Sequence, residues 1–236
     1  MFAVKQVDKR SNGARHHKFV SDLKMERDII SGLNHPHIVT YFGSEETETS
    51  LSMYVLCPLQ IALLIHDRFM EYLPGASIGS CLRKYGRFNE ELIKSFTTQI
   101  FDALVYLHAS HIIHRVRHHY TRPSPLLIPI PLQNIEANNV LVDSGGICKL
   151  SGFGNAQRTD DKQASWLPMR GTVPWTAPEV TGCQGAKRYG PKIDVWSAGY
   201  LFLEMWNGST RRNGDMVKVS YVSTRVLGVL IKNIHL

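Results

Sequence analysis

The segment from Glu90 to Ala109 constrains the fold more than any other. Leu92, Ile93, Phe96, Ile100, Leu104 and Leu107 recur across it at three- and four-residue steps. That spacing lines one face of an α-helix. Asn89 stands where a side-chain oxygen would cap the first free amides. A long helix with one apolar stripe must be covered by another layer. Ile193 to Trp206 reads as a second, strongly apolar helix, of the kind buried in a core.

The chain before these helices reads differently. Phe2 to Val7 alternates apolar and polar residues, as a half-buried strand does. Phe19 to Leu33 carries Phe19, Leu23, Ile29, Ile30 and Leu33 at helical steps and is ended by Asn34-His35-Pro36. Ile38 to Phe42 reads as a short strand. Val140-Leu-Val142, Gly145-Gly146 and Ile147-Cys-Lys-Leu150 form the pattern of a β-hairpin with a glycine turn. Strands with one helix, followed mostly by helices, predict an α+β chain with a small sheet-rich lobe and a larger helical lobe.

Two stretches break these periodicities, 54–68 and 116–133. The second holds Pro123, Pro125, Pro129 and Pro131 beside the basic His118-His119 pair. That proline spacing argues for an extended loop. Two surface insertions are the plain reading, and polyproline docking segments the sharper one.

Composition narrows the function classes. The chain has 236 residues, 43% hydrophobic and 20% charged. That is ordinary for a globular protein with a sizeable core. The formal charge of +7 comes from scattered Lys and Arg with no nucleic-acid motif beside them. Cys57, Cys81, Cys148 and Cys183 include no C-x-x-C pair, and their spacing suits reduced cytosolic thiols. Ile61–Ile65 and Leu126–Leu132 are too short to cross a bilayer. The expectation is a soluble cytoplasmic protein without nucleic-acid or membrane partners.

Several ordered motifs resemble protein kinases of the MAP kinase kinase kinase type. Ala3-Val-Lys5 resembles the strand that carries the phosphate-binding lysine. Glu26, nine positions before His35-Pro-His-Ile-Val39, resembles the glutamate of helix C that holds this lysine. Phe69-Met-Glu-Tyr-Leu-Pro-Gly75 is similar to the hinge. Ile112-Ile-His-Arg115 resembles the entry to the catalytic loop. Arg170-Gly-Thr-Val-Pro-Trp175 and Ala177-Pro-Glu179 resemble the peptide-positioning segment. Asp194-Val-Trp-Ser-Ala-Gly199 resembles the next core helix, where Asp194 would hold backbone amides of the catalytic loop.

The resemblance implies a two-lobed kinase-like fold over 1–206, truncated at both ends, with a divergent tail over 207–236. Its lobes would be about 1–70 and 76–206, joined by a hinge at 71–75. It implies ATP and Mg²⁺ as cofactors and the proteins of a kinase cascade as partners. Lys5 and Glu26 would serve the phosphates, Met70 would be the gatekeeper, and the backbones of Glu71 and Leu73 would face adenine. Arg115 and Thr172 would belong to the catalytic and activation segments, and Asn139 would bind metal.

Two departures bear on activity. The family's catalytic loop reads H-R-D-x-x-x-x-N. Here Val116 follows His114-Arg115, and the pattern resumes at Asn134-Ile-Glu-Ala-Asn-Asn139. Asn134 then takes the place of the base, and Glu136 that of a lysine that steadies phosphate. The metal motif D-F-G reads Gly152-Phe-Gly154. Glycine offers Mg²⁺ no side-chain oxygen. A general base contributes about 10²–10⁴ in rate, and one electrostatic stabiliser on the order of 10²–10³. Loss of either predicts a poor enzyme. The expectation is a pseudokinase that keeps an ATP-site fold. The alternatives are an active Ser/Thr kinase of a MAP kinase cascade and a non-functional product.

Overall fold

The structure is a computed structural model that describes residues 3–8, 14–55, 77–114, 135, 137–160, 177 and 190–208. For 3–8, 14–19, 22 and 53–55 it describes the backbone alone. The hinge, residues 56–68 and 116–133 and the tail after 208 lie outside these residues; Tyr54 and Val55, expected to open the first insertion, instead close a strand paired with Val4 and Ala3.

Strands β1 (Ala3–Asp8), β2 (Tyr41–Glu46) and β3 (Ser50–Val55) form an antiparallel sheet in the order β1-β3-β2. Lys5 sits in mid-strand opposite Met53. Helix α1 (Ala14–Ile30) packs beside β3. Lys24 and Arg27 of α1 reach Glu46 of β2 at 2.7 and 3.4 Å. Such exposed pairs add little stability.

The larger part holds α2 (Ile78–Tyr85), α3 (Glu90–Ala109), β4 (Ile112–Ile113), β5 (Val140–Val142), β6 (Cys148–Leu150), β7 (Gln157–Arg158) and α4 (Lys192–Asn207). Asn89 Oδ1 accepts the Leu92 amide at 2.8 Å, which sets the start of α3. Ile93, Phe96, Ile100, Leu104 and Leu107 of α3 are buried in one core with Leu23 and Ile30 of α1, Leu82 of α2, Leu141 and Leu150 of the hairpin, and Leu201 of α4. Gln99 ties α3 to the hairpin: its Oε1 accepts the Cys148 amide at 2.7 Å and its Nε2 donates to the Gly146 carbonyl at 3.3 Å.

Three expectations shift. Leu92 is 36% exposed, because the buried seam starts one residue later, at Ile93. A one-residue step turns the side chain by about 100° on a helix. Helix α1 ends at Ile30 rather than Leu33. Leu33 is buried from the turn that follows, its amide donating to the Ile30 carbonyl at 3.1 Å, so the apolar step outlasts the helix. The strand expected over Ile38–Phe42 starts at Tyr41 instead. Ile38 and Val39 are buried through a single parallel bridge to Leu150. The ladder to β3 pairs Tyr41 with Val55 and, after a register shift, runs on through Gly43–Glu46, where backbone bonds need no apolar side chains. Helix α2, which periodicity did not reveal, is capped by Ser77 Oγ and closed by Gly86 at φ 74°.

Candidate active site

The hairpin assembles the site. Antiparallel pairing sets Val140 opposite Leu150, so the residues flanking that pair, Asn139 and Ser151, come together. The Asn139 carbonyl accepts both the amide and the hydroxyl of Ser151, each at 2.9 Å. The next residue, Gly152, has φ 82° and ψ 41°, a left-handed backbone that glycine adopts without strain. A Cβ at Gly152 would lie 3.0 Å from Cγ and 3.1 Å from Oδ1 of Asn139. A side chain at 152 would therefore press on the buried Asn139 side chain, which would have to yield by a few tenths of an ångström.

Phe153 follows in a 3-10 turn (Phe153–Asn155) against α1. Its ring is 1% exposed and meets His114 edge-on, centroids 4.9 Å apart. His114 Nε2 pairs with the Ser151 carbonyl at 2.9 Å. That carbonyl only accepts, so Nε2 carries the proton. Burial pushes the His114 pKa below the ordinary histidine value. Asp194, the Ser151 carbonyl and Glu26 oppose this shift, and His108 adds to it.

Asp194, at the start of α4, is fully buried. Its Oδ2 accepts the His114 backbone amide at 2.9 Å and faces His108 Nε2 at the same distance. This is the backbone-holding contact expected from the sequence. The contact of His108 with this carboxylate was not foreseen: Tyr106-Leu107-His108 resembles the family's long helix, but nothing local marks its histidine for a buried partner.

Of the residues singled out, Asn139 and Gly152 are brought together. Glu26 is buried on α1 and contributes to the field at His114. Lys5 is placed by its backbone in β1. Met70, Glu71, Leu73, Arg115, Asn134, Glu136 and Thr172 lie outside the described residues.

The protein kinase domain model matches residues 1–116 and 133–226. The chain belongs to the protein kinase family. Among its relatives, the mitogen-activated protein kinase kinase kinase bck1 of Aspergillus fumigatus is 38% identical over 215 residues, covering 88% of this chain and 11% of that protein. The mitogen-activated protein kinase kinase kinase mkh1 of Cytospora mali is 38% identical over 216 residues, covering 87% and 10%. The serine/threonine-protein kinase BCK1/SLK1/SSP31 of Saccharomyces cerevisiae is 35% identical over 212 residues, covering 88% and 12%. This kinase chain thus resembles MAP kinase kinase kinases and spans about a tenth of their length. Its α+β fold is the kinase one.

Kinases of this family use ATP with Mg²⁺, and Mg²⁺ is usually held through one or two carboxylates. Of the two positions that would grip it here, Asn139 carries the amide oxygen that a kinase uses there, and Gly152 carries no side chain where a kinase has an aspartate. This pair does not fit the metal as a kinase holds it. No cluster of three metal-ligating side chains occurs among the described residues, and no described helix is long and apolar enough to cross a membrane.

Proposed function

We propose that this kinase domain keeps a nucleotide-site fold but has lost most or all phosphotransfer, and that it acts through protein partners of a MAP kinase cascade as a pseudokinase. The observation that carries the reading is Gly152: it has no side chain to hold a metal, and a β-carbon there would stand within 3.0 Å of the Asn139 side chain. Phosphoryl transfer relies on metal ions to bridge and neutralise the phosphates. Asn134 in place of the base points the same way, since an amide cannot take the substrate hydroxyl's proton. Lys5, Glu26, Met70 and the backbones of Glu71 and Leu73 would receive ATP. Arg115, Glu136 and Thr172 would flank the phosphate and the peptide.

The names of the relatives favour a second reading, an active serine/threonine kinase. Transfer of labelled phosphate from ATP to a generic peptide, with Lys5→Met as control, separates the two. The pseudokinase reading expects the same background from both proteins. Lys5-dependent transfer at ordinary kinase rates would overturn it. A thermal shift with ATP, with and without Mg²⁺, tests retention of the nucleotide site, because a ligand bound only by the folded state raises its stability. The reading expects a shift with ATP that Mg²⁺ barely changes.

A further inference from the structure

Helix α2 lies directly on the turn 137–139 that presents Asn139. The Gly79 amide donates to the Ala137 carbonyl at 2.6 Å, and Ser77, the cap of α2, pairs with Leu141 in an antiparallel bridge. Four residues beyond Gly79, on the same face of the helix, Arg83 Nη1 donates to Asn138 Oδ1 at 3.1 Å. The other fork nitrogen, Nη2, donates to Ser80 Oγ at 3.0 Å. Ser80 is itself fixed by Ser77, whose Oγ accepts the Ser80 amide at 3.1 Å and lies 3.0 Å from the Ser80 hydroxyl. A guanidinium is planar and rigid, so bracing one nitrogen on α2 aims the other.

This contact depends on the residue at 79. A Cβ on Gly79 would overlap Asn138 Oδ1 and stand 3.2 Å from the Ala137 carbonyl carbon. Asn138 is exposed, whereas Asn139, the next residue, is buried. The 137–139 turn is gripped from both sides. Gly79 and Arg83 hold Ala137 and Asn138 on α2, and Ser151 holds the Asn139 carbonyl through its amide and hydroxyl, each at 2.9 Å.

We propose that Arg83 is a positioning residue of the nucleotide site: through Asn138 it fixes the 137–139 turn on α2 and so sets Asn139 beside Gly152. The inference rests on the reading of this site as nucleotide-binding. Three substitutions act on the one contact. Arg83→Ala removes the donor. Gly79→Ala, which inside a helix ordinarily stabilises, drives Asn138 off the guanidinium. Asn138→Asp makes the acceptor a carboxylate, and such a charge-assisted bond is roughly twice as strong.

Hydrogen exchange in the full chain without nucleotide reads the contact. The reporter is the Ser151 amide, whose acceptor is the Asn139 carbonyl, and the amides of mid-α3 are the control. Arg83→Ala and Gly79→Ala should each speed exchange at Ser151 roughly fivefold, the size of one lost hydrogen bond, and leave α3 unchanged. Together they should do no more than either alone, because both free the same side chain. Asn138→Asp should slow exchange when Arg83 is present and not when it is replaced. No acceleration in Arg83→Ala, an equal acceleration in α3, or additive effects overturns the proposal. ATP titration of the same proteins separates it from the reading beneath it. Arg83→Ala should bind ATP roughly fivefold more weakly than the unmodified chain, with its ATP-free unfolding midpoint unchanged. Equal affinities overturn the positioning role and leave the nucleotide site standing. No binding by the unmodified chain overturns the nucleotide site and the positioning role with it.

Discussion

The amide carbon of the Asn139 side chain lies 3.0 Å from where a β-carbon on Gly152 would stand. A kinase metal site would need a carboxylate at position 152 beside the Asn139 amide oxygen, and Gly152 supplies none. Two consequences can be measured separately. Gly152→Ala places a β-carbon on a left-handed backbone, which costs about 1–2 kcal/mol, and presses it onto Asn139. Denaturant unfolding should report at least that loss.

Gly152→Asp tests the metal argument directly. Aspartate tolerates the left-handed region better than alanine, and Asn139 need yield only a few tenths of an ångström. The variant should gain an Mg²⁺-dependent increment in its ATP thermal shift. Phosphotransfer should stay near background until Asn134→Asp is added, because the base position is vacant independently. Full activity from the single substitution would contradict the reading of Asn134.

Asp194 is the buried charge on which the start of the catalytic segment hangs. Leaving a buried donor without its acceptor costs about 1–3 kcal/mol. Asp194→Ala strands the His114 amide and leaves His108 Nε2 without its carboxylate. Chemical unfolding should show a loss of this size. Asp194→Asn keeps an acceptor and should lose less.

The pH dependence follows from His114. Its folded-state pKa is lowered, chiefly by burial, below the roughly 6.5 of an unfolded histidine. The unfolded chain therefore binds this proton more readily than the folded one. Stability is fully present above about pH 6.5 and falls as the pH drops through that value. Unfolding midpoints between about pH 5 and 7.5 should decline toward acid, and His114→Phe should flatten the decline.

Cys148 is buried in β6, and its thiol is pushed up to about 12, mainly by burial, with Asp143 and Cys81 adding to the shift. Thiolate is the reactive form. Alkylating reagents near neutral pH should leave Cys148 unmodified in the folded protein and label it on unfolding. Mass mapping of the modified peptide gives the answer.

Much of the fold was legible because periodicity and caps are local. The stripe of α3, its Asn89 cap, the glycine hairpin and the apolar α4 could each be read from neighbours in sequence. The misreadings were local as well. Leu92 and Leu33 continue an apolar rhythm past the point where burial or helix stops, and the ladder of β2 rests on backbone bonds that leave no apolar signature. Helix α2 had signals in Ser77 and Gly86, but it is too short for a convincing stripe.

The sequence alone determined which atoms are available: an amide at Asn139, no side chain at Gly152, a carboxylate at Asp194. These are properties of single residues, and no folding changes them. Only the tertiary structure decided that the Asn139 side chain neighbours Gly152, that His108 and the His114 amide share one carboxylate oxygen, and that Arg83 meets Asn138. Those contacts join residues separated by up to 86 positions. Their distances depend on how helices and hairpin pack around a common core, which local patterns do not encode.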